Sequence, residues 1–213
     1  MTLYGYGGST LRVNLSSSSH EIRPTDPVMA RDFLGGRGFV AKILYDEVPA
    51  TAHAFDAGNR LVVAPGPLSG LLLPGSGKVE FGAKSPASGG YGDSNMGGHL
   101  APEIKYAGYD AIVIHGIAEK PSYLYINDDR VEIRDASKYW GMRAIECETA
   151  LKNDLGHDFQ IATIGPAGEN RVNYACISHD FGRQAGRTGV GAVMGSKNLK
   201  AIAVRSEEHT SEL

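Results

Sequence analysis

The sequence predicts an α+β fold, on three observations. Short β-branched or alternating runs outnumber helical patterns. The two kinds of segment do not alternate strictly, as a doubly wound parallel sheet requires. Glycine accounts for 28 of the 213 residues, about twice the ordinary share, so much of the chain is turn and close-packed backbone.

In chain order, a strand is predicted over residues 11–15, where Leu11, Val13 and Leu15 alternate with polar neighbours. Helices follow over 27–34 and 39–45, then strands over 61–64 and 78–81, a helix over 101–106 and a strand over 111–115. Residues 123–126 and 131–133 form the clearest hairpin, because the intervening Asn127, Asp128 and Asp129 tolerate the positive φ of a tight turn. A helix over 142–155 carries Ala144, Cys147, Leu151 and Leu155 at spacings of three and four, with Gly156 at the C-terminal cap position. Cys147 then reads as a small buried hydrophobe on that stripe. Strands over 160–164, 172–177 and 201–204 complete the pattern.

The chain is long enough for one large domain or two small ones. With 21 Lys and Arg against 24 Asp and Glu, the net charge is −3, and no basic block is present. That removes the footprint of a nucleic-acid binder or of a protein drawn to an anionic membrane. No run reaches the length of a membrane span, and the start lacks the form of a secretory signal. Two distant cysteines, Cys147 and Cys176, exclude a disulfide scaffold and a four-cysteine metal site within this chain. A reducing, cytoplasmic compartment is the expectation.

The glycines cluster. Ten lie between Gly66 and Gly98, and a second group runs through GRQAGRTGVGAVMGSKNLK from Gly182. Bare backbone can approach a ligand closely and offer N–H groups to phosphates, although glycine-rich strings also mark tight bends in β structure. Arg183 and Arg187, four apart, read as the first turn of a helix, where anions gain further. A dinucleotide fingerprint fails on order, because GVGAVMG lies near the end of the chain rather than after a first strand. MGSKN lacks the spacing of a nucleotide P-loop.

Seven strings in order, FLGGRGFVAKILYDEVP, GPLSG, SPASGGYGDSNMGG, IKYAGYDAIVIHG, VEIRDASKYWG, IGPAGEN and GRQAGRTGVGAVMGSKNLKAIAV, resemble the N-terminal domain of the tungsten-dependent aldehyde:ferredoxin oxidoreductases. The resemblance covers residues 5–204. It implies a platform of two β-sheets in duplicated, intertwined repeats with a few helices, on which lies a tungsten or molybdenum ion held by two pterins. The pterin phosphates would be joined through Mg²⁺ bound by backbone carbonyls. Carried onto this chain, the resemblance assigns cofactor contacts to Lys78, Asn95, Met96, Gly97, Gly98, Arg183, Gln184, Ala185, Gly186 and Arg187, with Asn95 and Gln184 supplying the magnesium carbonyls and Arg183 facing phosphate. Such a cation takes phosphate and carbonyl oxygens readily, and guanidinium suits phosphate.

Two departures from the family pattern stand out. Gly77-Lys78 occupies a place where relatives often carry arginine, and Gln184 replaces a small alanine. Lys197 and Asn198 are expected to shape a helix-to-strand turn, and His115 and Glu103 to be structural. The resemblance further implies aldehyde oxidation with ferredoxin as acceptor, a [4Fe-4S] cluster whose ligands lie outside this chain, the remaining enzyme domains as partners, a possible homo-oligomer and no activity for this segment alone. A related tungsten enzyme acting on an aromatic acid derivative and a stand-alone glycine-rich binding module are the alternatives. Residues 1–204 are expected to form the domain. Residues 205–213, RSEEHTSEL, match the translation of a common sequencing adapter and are expected to be a non-native tail.

Overall fold

The computed structural model describes residues 4–71 and 73–207. They form twelve strands and six helices, in two mixed six-stranded sheets. The first sheet holds β1 (Ser9–Asn14), β2 (Ser19–Pro24), β3 (Leu61–Pro65), β4 (Val79–Lys84), β5 (Tyr91–Met96) and β6 (Tyr109–His115), in spatial order β2-β1-β6-β3-β4-β5. The second holds β7 (Ser122–Asn127), β8 (Arg130–Asp135), β9 (Gln160–Thr163), β10 (Ile177–His179), β11 (Arg183–Ala185) and β12 (Leu199–Arg205), in order β11-β10-β9-β12-β7-β8. Run from its other end, with six subtracted from each label, the second order is the first. The strand senses agree as well: β1 with β6 and β7 with β12 are parallel, and every other pair is antiparallel. The fold is therefore one six-stranded unit used twice.

Each sheet comes from one contiguous half of the chain, and the helices interlock the halves. α3 (Leu100–Tyr106), from the first half, packs on β3 and β6 and also on β9 and β12 of the other sheet. α6 (Val190–Ser196), from the second, packs on β12 and also on β3, β4 and β5. Both helices and the inner faces of both sheets share one apolar cluster, including Leu61, Val63, Phe81, Ile112, Ile104, Val193, Ile202 and Val204, all fully buried. Burying each such side chain contributes about 1.5–3 kcal/mol. The outer face of the first sheet is covered by α1 (Pro27–Phe33) and α2 (Arg37–Glu47), through Ala30, Phe39, Val40, Ile43 and Leu44. The outer face of the second is covered by α4 (Ala144–Leu155), through Cys147 and Leu151. Burial raises the Cys147 thiol pKa, as suits a packed, unreactive side chain.

α6 shows tertiary context overriding propensity. All seven of its residues are buried despite two glycines, because a side chain at Gly195 would lie 1.9 Å from the Gly168 carbonyl of α5 (Pro166–Glu169). No helix among the described residues is long and apolar enough to cross a membrane.

Several sequence expectations need correction. Residues 172–176 are turn and irregular backbone, and the strand begins only at Ile177, running Ile177–His179. The stretch opening at Arg183 is strand β11 rather than a helical turn, and α6 begins only at Val190. The polar edge strand β2 and the strand β5, hidden inside a glycine-rich string, carry no apolar alternation that marks them. The hairpin turn is Asp128–Asp129, with Asp128 at φ 52°, since Asn127 pairs with Arg130. β12 extends through Arg205, and Ser206 is buried with its N–H donated to the Glu103 carboxylate. Of the expected tail, residues 208–213 lie outside the described residues.

Candidate functional site

β5 and β11 are each an edge strand of their sheet and occupy matching places in the two units. They lie beside one another. A strand edge presents unpaired N–H and C=O groups. Between these two edges opens a cavity of about 570 Å³, lined by Asp93, Ser94 and Asn95 from one side, by Gln184, Gly186 and Arg187 from the other, and by Arg37 at the start of α2.

Alternation decides which site residues face outward. Asn95 is exposed between buried Ser94 and Met96, and Gln184 is exposed beside buried Ala185. The Met96 and Ala185 side chains belong to the central core, so these two positions can offer a ligand only main chain. The Gln184 side chain turns back to donate to Ser178 Oγ at 2.9 Å. Lys78 immediately precedes β4 and donates from Nζ to Asn95 Oδ1 at 3.3 Å. Arg183 is exposed at the start of β11 and is absent from the cavity lining. Thus Asn95, Gln184, Gly186 and Arg187 meet at one cavity, with Lys78 beside it and Arg183 further round the edge.

Each loop is held by the opposite half. His179, fully buried on β10, accepts from the N–H groups of His99 (3.2 Å) and Leu100 (3.1 Å) through Nε2 and therefore donates to the Ile161 carbonyl from Nδ1, at 3.0 Å. This anchors the loop that follows Asn95. In return, Arg187 N–H donates to Ser94 Oγ (3.1 Å), Thr188 Oγ1 donates to the Asp93 carbonyl (3.2 Å), and Ser85 Oγ donates to the Thr188 carbonyl (2.7 Å). Glu148 fastens the β10–β11 turn by accepting from Asp180 and Phe181 N–H.

Gly97 and Gly186 follow β5 and β11 at matching places. Neither has positive φ. A side chain at Gly97 would meet nothing within 4 Å, and one at Gly186 only the Gln184 Cβ at 3.8 Å. The fold itself does not demand glycine at either position, so the bare backbone leaves room beside the cavity.

The charge at this site was only partly legible in sequence. Arg37 pairs through Nε with Asp93, and its Nη2 lies 3.8 Å from Glu80 Oε1. Glu80, buried opposite Asn95 on β4, has its pKa pushed up to about 7, chiefly by burial and further by Asp93, against the pull of Arg37 and Lys78. Arg37 and Asp93 lie in the GGRG and GDSN strings, where glycine and not charge is the visible pattern, and no sequence signal marks His179. Lys197 and Asn198 do shape the turn: Lys197 Nζ donates to the Asn59 and Gly116 carbonyls, and Asn198 sits at φ 55°.

Two sheets related by an internal repeat, meeting at a cleft between matching edge strands, define a duplicated two-sheet platform. The family model for the aldehyde ferredoxin oxidoreductase N-terminal domain matches residues 10–206, and the chain belongs to that family. It is 46% identical over 207 residues to the tungsten-containing aldehyde ferredoxin oxidoreductase of Pyrococcus furiosus, covering 97% of this chain and 34% of that protein. It is 38% identical to the WOR-like subunit of an aliphatic sulfonate oxidoreductase from the same organism, covering 95% of this chain and 35% of the relative. Among solved structures, the active-site complex BamBC of benzoyl coenzyme A reductase matches with a TM-score of 0.93 and 45% identity, over 95% of this chain and 31% of that one. The chain thus spans about a third of the length of these relatives.

Proposed function

We propose that this chain is the cofactor platform of a tungsten-dependent oxidoreductase, and that the β5–β11 cleft holds the phosphate ends of a bis-pterin cofactor across a magnesium ion. The observation that carries the reading is the convergence of two repeat-related edge strands, each followed by a glycine the fold does not need, on one cavity with Arg187 in its wall. The donor set suits such a group: carbonyl oxygens for a hard cation, with guanidinium for phosphate.

In this reading the Asn95 and Gln184 carbonyls face the magnesium ion, while Arg187, Lys78 and Arg183 balance phosphate charge. Gly97, Gly98 and Gly186 admit the ligand to the backbone. When bound, the cofactor supplies the metal at which an aldehyde and water become a carboxylic acid, two protons and two electrons. In the full enzyme, a [4Fe-4S] cluster with ligands outside this chain would supply the route for those electrons to ferredoxin. This chain's share is orientation and electrostatics. Alone it has no activity. An aromatic acid derivative is the alternative substrate, favoured by the 45% identity to the benzoyl coenzyme A reductase component against 46% to the aldehyde enzyme.

The test is Gly186→Val in the full-length enzyme. A Cβ there meets no neighbour closer than 3.8 Å, so the variant should fold, with an unchanged circular-dichroism spectrum, yet purify with less than about a tenth of the wild-type tungsten, a loss of at least about 1.4 kcal/mol of cofactor binding. A full tungsten complement in the folded variant refutes the assignment.

A further inference from the structure

Core packing does not explain the placement of Arg37. It begins α2 directly after Gly35 and Gly36, whose φ values of 146° and 48° turn the chain so that its side chain reaches over the β5 edge. Its neighbours in α2, Phe39 and Val40, fully buried in the outer cluster, account for the helix without it. The side chain is 63% exposed and forms part of the cavity wall that also includes Asn95, Gln184 and Arg187. It donates one hydrogen bond, from Nε to Asp93. Glu80 Oε1 is 3.8 Å from Nη2, too far for a hydrogen bond, and has no hydrogen-bond partner of its own. Asp93 therefore holds the guanidinium through Nε, while neither Nη makes a hydrogen bond to the described residues. A cation fixed by a carboxylate at one nitrogen, with its other donors unused, is prepared for an anion.

Resting on the cofactor reading above, we infer that Arg37 is a phosphate-binding residue of the cleft, the guanidinium fork of the first repeat where Lys78 offers only a point charge. Arg187, from the second half of the chain, lines the same cavity. Asp93 sets the orientation of Arg37 in advance, so the side-chain ordering cost is met before the ligand arrives.

The experiment uses magnesium pyrophosphate as the probe and calorimetric titration of the 213-residue chain, with circular dichroism to confirm folding of each variant. Arg37→Ala should weaken binding about tenfold or more, as loss of a charge-assisted contact does, and Arg37→Lys by about threefold, since charge remains without the fork. Arg37→Gln provides a second neutral variant. In the full-length enzyme, Arg37→Ala should also lower the tungsten-to-protein ratio. If Arg187→Ala weakens pyrophosphate binding while folded Arg37→Ala and Arg37→Gln bind as wild type does, Arg37 is not a ligand contact, and the cleft assignment survives. If the wild-type chain shows no magnesium-dependent pyrophosphate binding, the cleft reading falls and this inference with it.

Discussion

His179 ties the loop after β5, in the first repeat, to the sheet of the second. Its neutral imidazole accepts two N–H groups at the start of α3, and its pKa is pushed down to about 4, chiefly by burial, with Lys152 and His99 adding to the depression. The unfolded chain has an ordinary imidazole near 6.5, so below that pH it takes up the proton that the folded chain refuses. The stability associated with this group is complete above about pH 6.5 and is lost as pH falls toward 4, by roughly 3 kcal/mol at most. His179→Gln should therefore lower stability at pH 7 by about 1–3 kcal/mol and flatten the decline between pH 6.5 and 4. Urea midpoints at pH 7.5, 5.5 and 4.5 measure both, and a variant with the wild-type pH slope would show that another group carries the acid transition. Nothing in the sequence marked this residue. An isolated histidine acquires its meaning only when the start of α3, 80 positions away, brings the His99 amide to its ring.

At the scale of elements, what the sequence made legible was burial. The strands and helices with apolar periodicity lie close to where the pattern puts them, β6 and α4 among them, because one face of each must leave water. The elements that build the cleft lack that signature. β5 reads YGDSNM and β11 reads RQA, edge strands whose outer positions must stay polar and open, so the same property that makes them useful hides them. The residues of the two loops were found by resemblance, and their convergence became visible only with the sheets in place. The turn into α6 shows how tightly that convergence is fixed. Gly189 has φ 75°, and a Cβ there would lie 2.0 Å from the Asn173 carbonyl. Gly189→Ala is expected to destabilise the chain by about 2–4 kcal/mol, combining an unfavourable φ with a backbone clash. Chemical denaturation checks it, and an effect below about 0.5 kcal/mol would mean that the Thr188–Gly189 turn moves freely and does not set the position of Arg187.

At the scale of the whole molecule, duplication and interlocking have opposite consequences for autonomy. Each sheet is complete within its own half, which by itself would allow the halves to fold separately. The helices prevent this: α3 leaves its own sheet's chain to pack on β9 and β12, and α6 returns to β3, β4 and β5. A single half would expose the inner sheet face and one side of its helix, including Leu61, Val63, Ile104 and Ile112. Four such side chains alone represent roughly 6–12 kcal/mol of lost burial, comparable to the entire stability of an ordinary domain. Residues 1–116 expressed alone should lack a cooperative melting transition and show collapsed amide dispersion by NMR. Mixing with residues 117–207 should restore both, because the missing inner surface is then supplied in trans. A first half that melts cooperatively unaided would mean that each repeat is a domain in its own right. The cleft would then lie at an adjustable interface rather than on a rigid platform.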